Sequence, residues 1–176
     1  MCKRCTSRRA LQYTGFASPS KGAFHINAAD SRQYPARPLL GVGALIFRDS
    51  EILLVERGNQ PLKGFWSLPG GLLEVGEKLD SAVRREVQEE TGLQIEPLSV
   101  FEIFERIIPG SRPGSSGRIE YHYVLIDYLC RVTGGQLRAA SDVSEVAWVP
   151  QRKLAEYRLT EGTLAVIERA FANIQL

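Results

Sequence analysis

The chain has 176 residues, of which 44% are hydrophobic and 24% are charged, and its formal net charge at pH 7 is +2. This length and composition suit one globular domain with a buried core. The small net charge argues against a strongly basic nucleic-acid binder, and no apolar run reaches the roughly 18 residues that a membrane-spanning helix needs. We therefore expect neither nucleic acid nor a membrane as a partner.

The first part of the chain mixes Arg, Ser, Gly and Ala without a sustained hydrophobic period. We interpret residues 1–36 as an N-terminal extension, partly disordered, and residues 37–176 as the folded domain. The basic start MCKRCTSRRA lacks the apolar stretch of a secretory signal, so a cytoplasmic location is expected. Cys2 and Cys5 form a CxxC, but no second CxxC follows to complete a zinc site.

From Leu39 the sequence becomes rich in β-forming residues. The runs LLGVGALIF and EILLVER are separated by RDS, which predicts a hairpin that turns through Asp49 and Ser50. A loop with a short extended piece, PLKGFWSLPGG, comes next. The segment LDSAVRREVQEETG then predicts a helix, with apolar residues at every fourth position and with Asp80 and Gly92 at its ends.

Two long strand-like runs, LSVFEIFERIIP and YHYVLIDYLCRV, follow this helix on either side of the loop GSRPGSSGR. VSEVAWVP predicts a shorter strand, and TEGTLAVIERAFANI predicts a C-terminal helix. Strands and helices are intermixed without a regular βαβ alternation. The predicted fold class is therefore α/β, with a mixed sheet and helices packed on its faces.

The helix in the middle of the chain carries Glu86, Glu89 and Glu90 on one face, close to its C-terminal end. Like charges at this spacing cost about 0.2–0.5 kcal/mol per pair, and the helix dipole favours cations at that end. A hard divalent cation among the carboxylates would reverse the repulsion, because Mg²⁺ prefers oxygen ligands. A solvated acidic face is the alternative interpretation of this segment taken alone.

The residues before the helix favour a metal site over a solvated acidic face. Gly70 and Gly71 precede it, and glycines let main-chain atoms approach a ligand or a metal closely. The segment GLLEVGEKLDSAVRREVQEETGL resembles the Nudix box of the Nudix (MutT-like) hydrolases, and every defined position of that signature is filled. The runs GVGALIFRDSEILLVERG, GFWSLPGG and VSEVAWVP are also typical of the family. The resemblance thus extends from about Pro38 to Ala172.

The resemblance implies a Nudix fold, an α/β/α sandwich around a mixed β-sheet. It also implies that Mg²⁺ or Mn²⁺ assists the attack of water on a diphosphate linkage in a small-molecule nucleotide. The implied metal ligands are Glu86, Glu89, Glu90 and the backbone carbonyl in the region of Gly71. The implied supporting residues are Glu77 and Arg85, and Arg85 suits a bidentate contact with a carboxylate.

The general base and the substrate remain open at this point. The candidates for the base are Glu89 within the box and Asp142, Glu145 or Glu120 beyond it. Pro109 lies sixteen residues after the box, a pattern that resembles ADP-ribose pyrophosphatases and favours ADP-ribose or a related nucleotide sugar. The alternatives are a pyrophosphohydrolase that removes oxidised nucleoside triphosphates and a non-catalytic nucleotide-sensing module.

Candidate substrate-binding residues come from two groups. Arginines beside the flexible loop could reach phosphates, and aromatic residues could stack on a nucleobase, although aromatic residues in strands often belong to a core. The candidates are Arg112, Arg118, Phe65 and Trp66, with Tyr121 and Tyr123 as further aromatic residues. The sequence is also compatible with a homodimer.

Overall fold

The computed structural model describes residues 32–60, 62–110 and 117–173. Its strands are β1 (Leu39–Arg48), β2 (Glu51–Arg57), β3 (Trp66–Ser67), β4 (Gly70–Leu72), β5 (Leu93–Pro109), β6 (Ile119–Gly135) and β7 (Val143–Pro150). Its helices are α1 (Leu79–Thr91) and α2 (Thr163–Asn173), with a 3-10 helix at Gln151–Glu156. None of the helices in these ranges is long and apolar enough to cross a membrane.

The described strands form one seven-stranded sheet in which the order is β3-β2-β1-β6-β5, while β4 pairs with β1 and β7 pairs with β2. The strands β1 and β6 run parallel, and the other pairs in the described ranges run antiparallel. This arrangement confirms the predicted α/β class with a mixed sheet. It also places β1 beside three neighbours at the centre of the molecule.

The predicted hairpin and the predicted helix are both confirmed. Arg48 pairs with Glu51 across a turn in which Asp49 adopts a φ of 51°, a left-handed conformation that Asp tolerates better than most residues. The helix α1 ends at Gly92, where φ is 70° and the N–H donates a hydrogen bond of 3.0 Å to the Gln88 carbonyl. Its start differs slightly from the prediction, because Lys78 is the N-cap and Asp80 lies within the first turn.

Two apolar cores lie on opposite faces of the sheet. Along β1, Ala44 and Ile46 pack with α1 in one core, whereas Leu45 packs with α2 in the other. Successive side chains of a strand point to opposite faces, so a strand covered on both sides is a continuous apolar run. Burial of residues 41–46 of β1 between helices on both faces thus produces the layered α/β/α arrangement.

The boundary of the N-terminal extension is only partly described, since residues 1–31, with Cys2 and Cys5, lie outside the described ranges. Residues 32–36, which we assigned to the extension, contact the domain. The Tyr34 N–H donates to the Glu120 carbonyl at 2.7 Å, and Gln33 Nε2 donates to Glu120 Oε1 at 2.6 Å. The last residues of the extension are therefore attached to β6.

Candidate active site

Strand β4 brings two glycines against two carboxylates of α1. The Gly70 N–H donates a hydrogen bond of 2.8 Å to Glu90 Oε2. A side chain at Gly71 would collide with the Glu86 carboxylate, since its first carbon would lie 2.6 Å from Oε2. The absence of a side chain at Gly71 thus lets the backbone of β4 lie against the Glu86 carboxylate.

Burial makes these two carboxyl groups costly to ionise without a cation. Glu90 is only 8% exposed. Burial raises its pKa to about 8, against the effect of the Gly70 hydrogen bond, and the charge of Glu86 raises it further. Burial is also the main reason that the pKa of Glu86 is raised. A divalent cation would favour the ionised form of both groups.

The donor atoms fit a hard metal ion. Carboxylate oxygens and backbone carbonyls are the ligands that Mg²⁺ and Mn²⁺ prefer. In the described part of the chain, no three side chains of Asp, Glu, His or Cys already converge on one point. Glu86 and Glu90 would therefore hold such an ion together with other oxygen atoms, and the carbonyl in the region of Gly71 is the nearest protein candidate.

Arg85 connects the loop before α1, strand β4 and α1 itself. Its guanidinium donates two hydrogen bonds to Glu77, of 2.9 and 3.0 Å, and one of 3.2 Å to the Leu72 carbonyl. It also donates to Glu86 at 2.9 Å and to Glu89 at 3.3 Å. This bonding raises the pKa of Arg85 and lowers that of Glu77. Both residues thus stand beside the carboxylates, as the resemblance implies, and their part in catalysis stays a prediction.

Glu89 differs from Glu86 and Glu90 in its exposure and in its position relative to the cavity. Its side chain is 52% exposed and contacts Arg85, and it is not among the residues that line the cavity beside the acidic face. Its predicted roles as a metal ligand and as a general base therefore stay predictions.

A cavity of about 540 Å³ opens beside Glu86 and Glu90, a size within the usual range for ligand sites. Its wall includes Gly70 and Gly71 and also residues of β5, β6 and the start of α2. The β6 residues that line it are Tyr121, Tyr123, Leu125 and Asp127. The rings of Tyr121 and Tyr123 stack with their centroids 6.1 Å apart.

Of the later carboxylates proposed as a base, Asp142 lines the cavity. Its charge contributes to the raised pKa values of both Glu86 and Glu90, which places it near them. Glu145 is exposed on β7 and Glu120 hydrogen-bonds to Gln33, and neither lines the cavity.

Tyr121 and Tyr123 line the cavity, but three other predicted substrate-binding residues, Phe65, Trp66 and Arg118, do not. Trp66 is buried in the core and packs edge-to-face on Tyr157 with ring centroids 5.0 Å apart, so its apolar surface is used for packing. Arg158 covers the Phe65 ring at 3.9 Å. Arg118 lies over another aromatic ring, that of Tyr34, at 4.7 Å.

These three residues do not line the cavity. The geometry therefore gives no support to stacking of a base on Phe65 or Trp66. Arg112 falls outside the described residues, so its predicted role stays a prediction.

Besides Arg32, two further arginines that the sequence analysis missed line the cavity. Arg57 ends β2 and Arg106 lies on β5, and the Nε atom of each is buried without a hydrogen-bond partner in the described part of the chain. Arg106 makes one long ion pair, of 3.9 Å, with the exposed Glu161. The sequence held part of the information for Arg106, because side chains alternate along a strand and Phe104, Arg106 and Ile108 therefore share one face. Strand pairing decides that this face lines the cavity.

Comparisons with known proteins agree with this geometry. A family model described as the NUDIX domain matches residues 37–170. The chain is similar to the ADP-ribose pyrophosphatase of Methanocaldococcus jannaschii, with 38% identity over 108 residues, which is 61% of this chain and 59% of that protein. It is also similar to the 8-oxo-dGDP phosphatase NUDT18 of Homo sapiens, with 29% identity over 133 residues, which is 73% of this chain and 37% of that protein.

A solved structure shows the same fold. The crystal structure of a MutT NUDIX hydrolase from Burkholderia pseudomallei matches with a TM-score of 0.63 at 30% identity, over 75% of this chain and 97% of that one. The chain spans less than two thirds of the length of the two curated relatives described above. The matched family model covers most of the chain, from β1 to α2, and includes Glu86, Glu90 and Gly71. The chain belongs to the NUDIX domain family.

Proposed function

We propose that the protein hydrolyses the pyrophosphate bond of small nucleoside diphosphate derivatives in a reaction that depends on Mg²⁺ or Mn²⁺. One observation carries the proposal: the buried carboxyl group of Glu90 and the partly buried one of Glu86 lie against Gly70 and Gly71 at the edge of a cavity that Arg57 and Arg106 also line. Such a cavity combines a place for a cation with donors for phosphate oxygens.

A metal ion held by Glu86, Glu90 and oxygen atoms near them would neutralise phosphate charge and make water a stronger nucleophile. Arg57 and Arg106 line the cavity, and a guanidinium matches phosphate geometry, so both would donate hydrogen bonds to the phosphates.

Asp142 is the candidate for the general base that the cavity favours, since it faces the same space as Glu86 and Glu90. As a base it would take the proton of the attacking water. Glu89 stays the alternative, because a bound cation could draw its exposed side chain away from Arg85. Arg85 is a positioning residue, which holds Glu77 and Glu86 through hydrogen bonds.

ADP-ribose or a related nucleotide sugar is the favoured substrate. The position of Pro109 after the box and the similarity to an ADP-ribose pyrophosphatase support this choice. Hydrolysis of ADP-ribose with one water would yield AMP and ribose 5-phosphate. The second candidate is the removal of oxidised nucleotides, which the similarity to an 8-oxo-dGDP phosphatase favours.

The test is a panel of ADP-ribose, nucleotide sugars, 8-oxo-dGDP and nucleoside triphosphates, each incubated with Mg²⁺, with Mn²⁺ and with EDTA. We expect AMP and ribose 5-phosphate from ADP-ribose, and no product with EDTA. Release of inorganic phosphate or pyrophosphate from 8-oxo-dGDP or a triphosphate, with ADP-ribose left intact, would favour the second candidate. Lack of turnover of every compound with both metals would contradict both.

A further inference from the structure

Asp127 is a buried carboxyl group at the wall of the same cavity. It lies on β6, is 6% exposed and lines the cavity. Its partner across the parallel pair of strands is Gly43 of β1. A side chain on Gly43 would overlap the Asp127 carboxyl group, with the added carbon 3.3 Å from Cγ. The glycine therefore leaves the space that the carboxyl group occupies.

This carboxyl group has no hydrogen-bond or ion-pair partner among the described residues. No hydrogen bond or ion pair joins it to a residue in the ranges 32–60, 62–110 and 117–173, although buried polar groups are normally hydrogen-bonded. Glu102, its partner on β5, is instead bonded to Arg169 of α2. The nearby hydroxyl groups of Thr160 and Thr163 bond to each other at 2.6 Å.

Asp127 belongs to β6, whereas Glu86 and Glu90 belong to α1, and neither of these glutamates is among the groups that shift its pKa. Glu102 is the charged neighbour that affects its pKa, whereas the pKa values of Glu86 and Glu90 respond to Asp142. Burial raises the pKa of Asp127 to about 6. The group is therefore mostly ionised above pH 7 and presents two acceptor oxygens to which no residue of the described ranges donates.

We infer that Asp127 determines specificity by accepting hydrogen bonds from two adjacent donors on the part of the substrate that lies away from the pyrophosphate. The inference rests on the proposed function and assigns this residue to recognition of the substrate rather than to the reaction. Two substrate groups supply such a pair of donors: the 2′,3′-diol of a ribose, and the ring N–H with the adjacent amino group of a guanine-type base. The ring edge of adenine pairs a donor with an acceptor instead.

A site built to accept hydrogen bonds rejects an analogue that lacks the donors, because the buried acceptor is then left unpaired. We therefore expect at least one matched pair of substrates to differ by about tenfold or more in kcat/KM with the wild-type protein. The pair whose kcat/KM values differ shows whether the ribose diol or the base supplies the donors.

The experiment uses the full chain with Mg²⁺ and two sets of matched nucleoside diphosphate derivatives. One set compares ribose with 2′-deoxyribose in each sugar position, and the other compares guanine with hypoxanthine, which lacks the amino group. The variant Asp127→Asn keeps the shape of the side chain but replaces one acceptor by a donor. Glu105→Gln is the control, because Glu105 is an exposed carboxylate on β5 outside the cavity.

We expect Asp127→Asn to bring the kcat/KM values of the two matched substrates to within about twofold of each other. Glu105→Gln should preserve the difference that the wild type shows between them. If Asp127→Asn folds poorly, Asp127→Ser should give the same loss of discrimination. Wild-type ratios below about threefold in every matched pair, or an unchanged ratio in a folded Asp127 variant, would overturn the inference. Hydrolysis with equal kcat/KM for the matched substrates would overturn the inference about Asp127 and leave the proposed function intact. Absence of hydrolysis of every substrate would contradict the proposed function itself.

Discussion

At the scale of single residues, Glu90 combines burial with the chemistry of a metal ligand. Its carboxyl group accepts a hydrogen bond from the Gly70 N–H, and an amide oxygen can accept the same bond. We expect Glu90→Gln to lower kcat by several orders of magnitude at saturating Mg²⁺, because a neutral amide is a poor ligand for this ion. We also expect the metal-free variant to be at least as stable as the wild type, because no buried charge then has to form.

Urea unfolding in EDTA and steady-state kinetics check these two expectations. Glu74→Gln is the control, since Glu74 is an exposed carboxylate in the loop before α1. Near-normal turnover in Glu90→Gln would show that this carboxylate is not needed for the metal.

Asp127 predicts a dependence of stability on pH. Its folded-state pKa, about 6, lies above the ordinary aspartate value of 3.8, so the folded state holds the proton more tightly than the unfolded state. The resulting stabilisation is fully present below pH 3.8, the unfolded-state pKa, and is lost as the pH rises through the folded-state pKa of about 6. Relative to Asp127→Asn, the wild type should lose up to about 2 kcal/mol of unfolding free energy between about pH 4.5 and about pH 7.5.

Denaturant unfolding of both proteins at the two pH values measures this change. Other titrating groups cancel to a first approximation, because the two proteins share them. A difference between the proteins that does not vary with pH would show that the Asp127 pKa is not raised by burial.

At the scale of secondary-structure elements, Arg85 joins α1 to β4 and to the loop that carries Glu77. A lysine keeps the charge but cannot form the paired bonds to Glu77 while it also reaches Leu72 and Glu86. We expect Arg85→Lys to lower the free energy of unfolding by about 1–2 kcal/mol and to lower kcat more than it raises KM.

Arg48→Lys is the matched control, because Arg48 forms an exposed ion pair with Glu51. Its replacement should change the free energy of unfolding by less than about 0.5 kcal/mol and leave the kinetics as they are. Equal effects of the two substitutions would mean that the hydrogen bonds of Arg85 do not position the site.

At the scale of the whole molecule, the N-terminal segment divides into two parts. Arg32 and Gln33 line the cavity, and Tyr34 bonds to Glu120 and lies under Arg118. We expect removal of residues 1–31 to leave kcat/KM within about twofold of the wild type. Removal of residues 1–36 should instead raise KM several-fold, because part of the wall of the cavity is lost.

This expectation differs from the sequence-based interpretation, which placed all of residues 1–36 in an extension outside the folded domain. Kinetics of the two truncated proteins on one substrate, with circular dichroism to check folding, distinguish the cases. Identical KM values would show that residues 32–36 do not contribute to substrate binding.

The sequence by itself determined the features whose causes lie within a few residues of each other. A fourfold apolar spacing predicted α1, a glycine ended it, and RDS marked the hairpin at Asp49, all as the structure has them. The helical spacing also placed Glu86, Glu89 and Glu90 on one face, and the resemblance to the Nudix box implied their role as metal ligands. Helical period and turn geometry are local properties, so local patterns are enough to predict them.

Only the tertiary structure decided which side chains share the cavity. Arg57, Arg106 and Asp127 come from three different strands, and each faces the cavity because of the register in which its strand pairs. The same registers bury Trp66 in the core and leave Tyr123 at the wall of the cavity. A shift of one residue in register would turn each of these side chains to the other face of the sheet. Pairing between strands distant in sequence fixes that choice, and no local pattern records it.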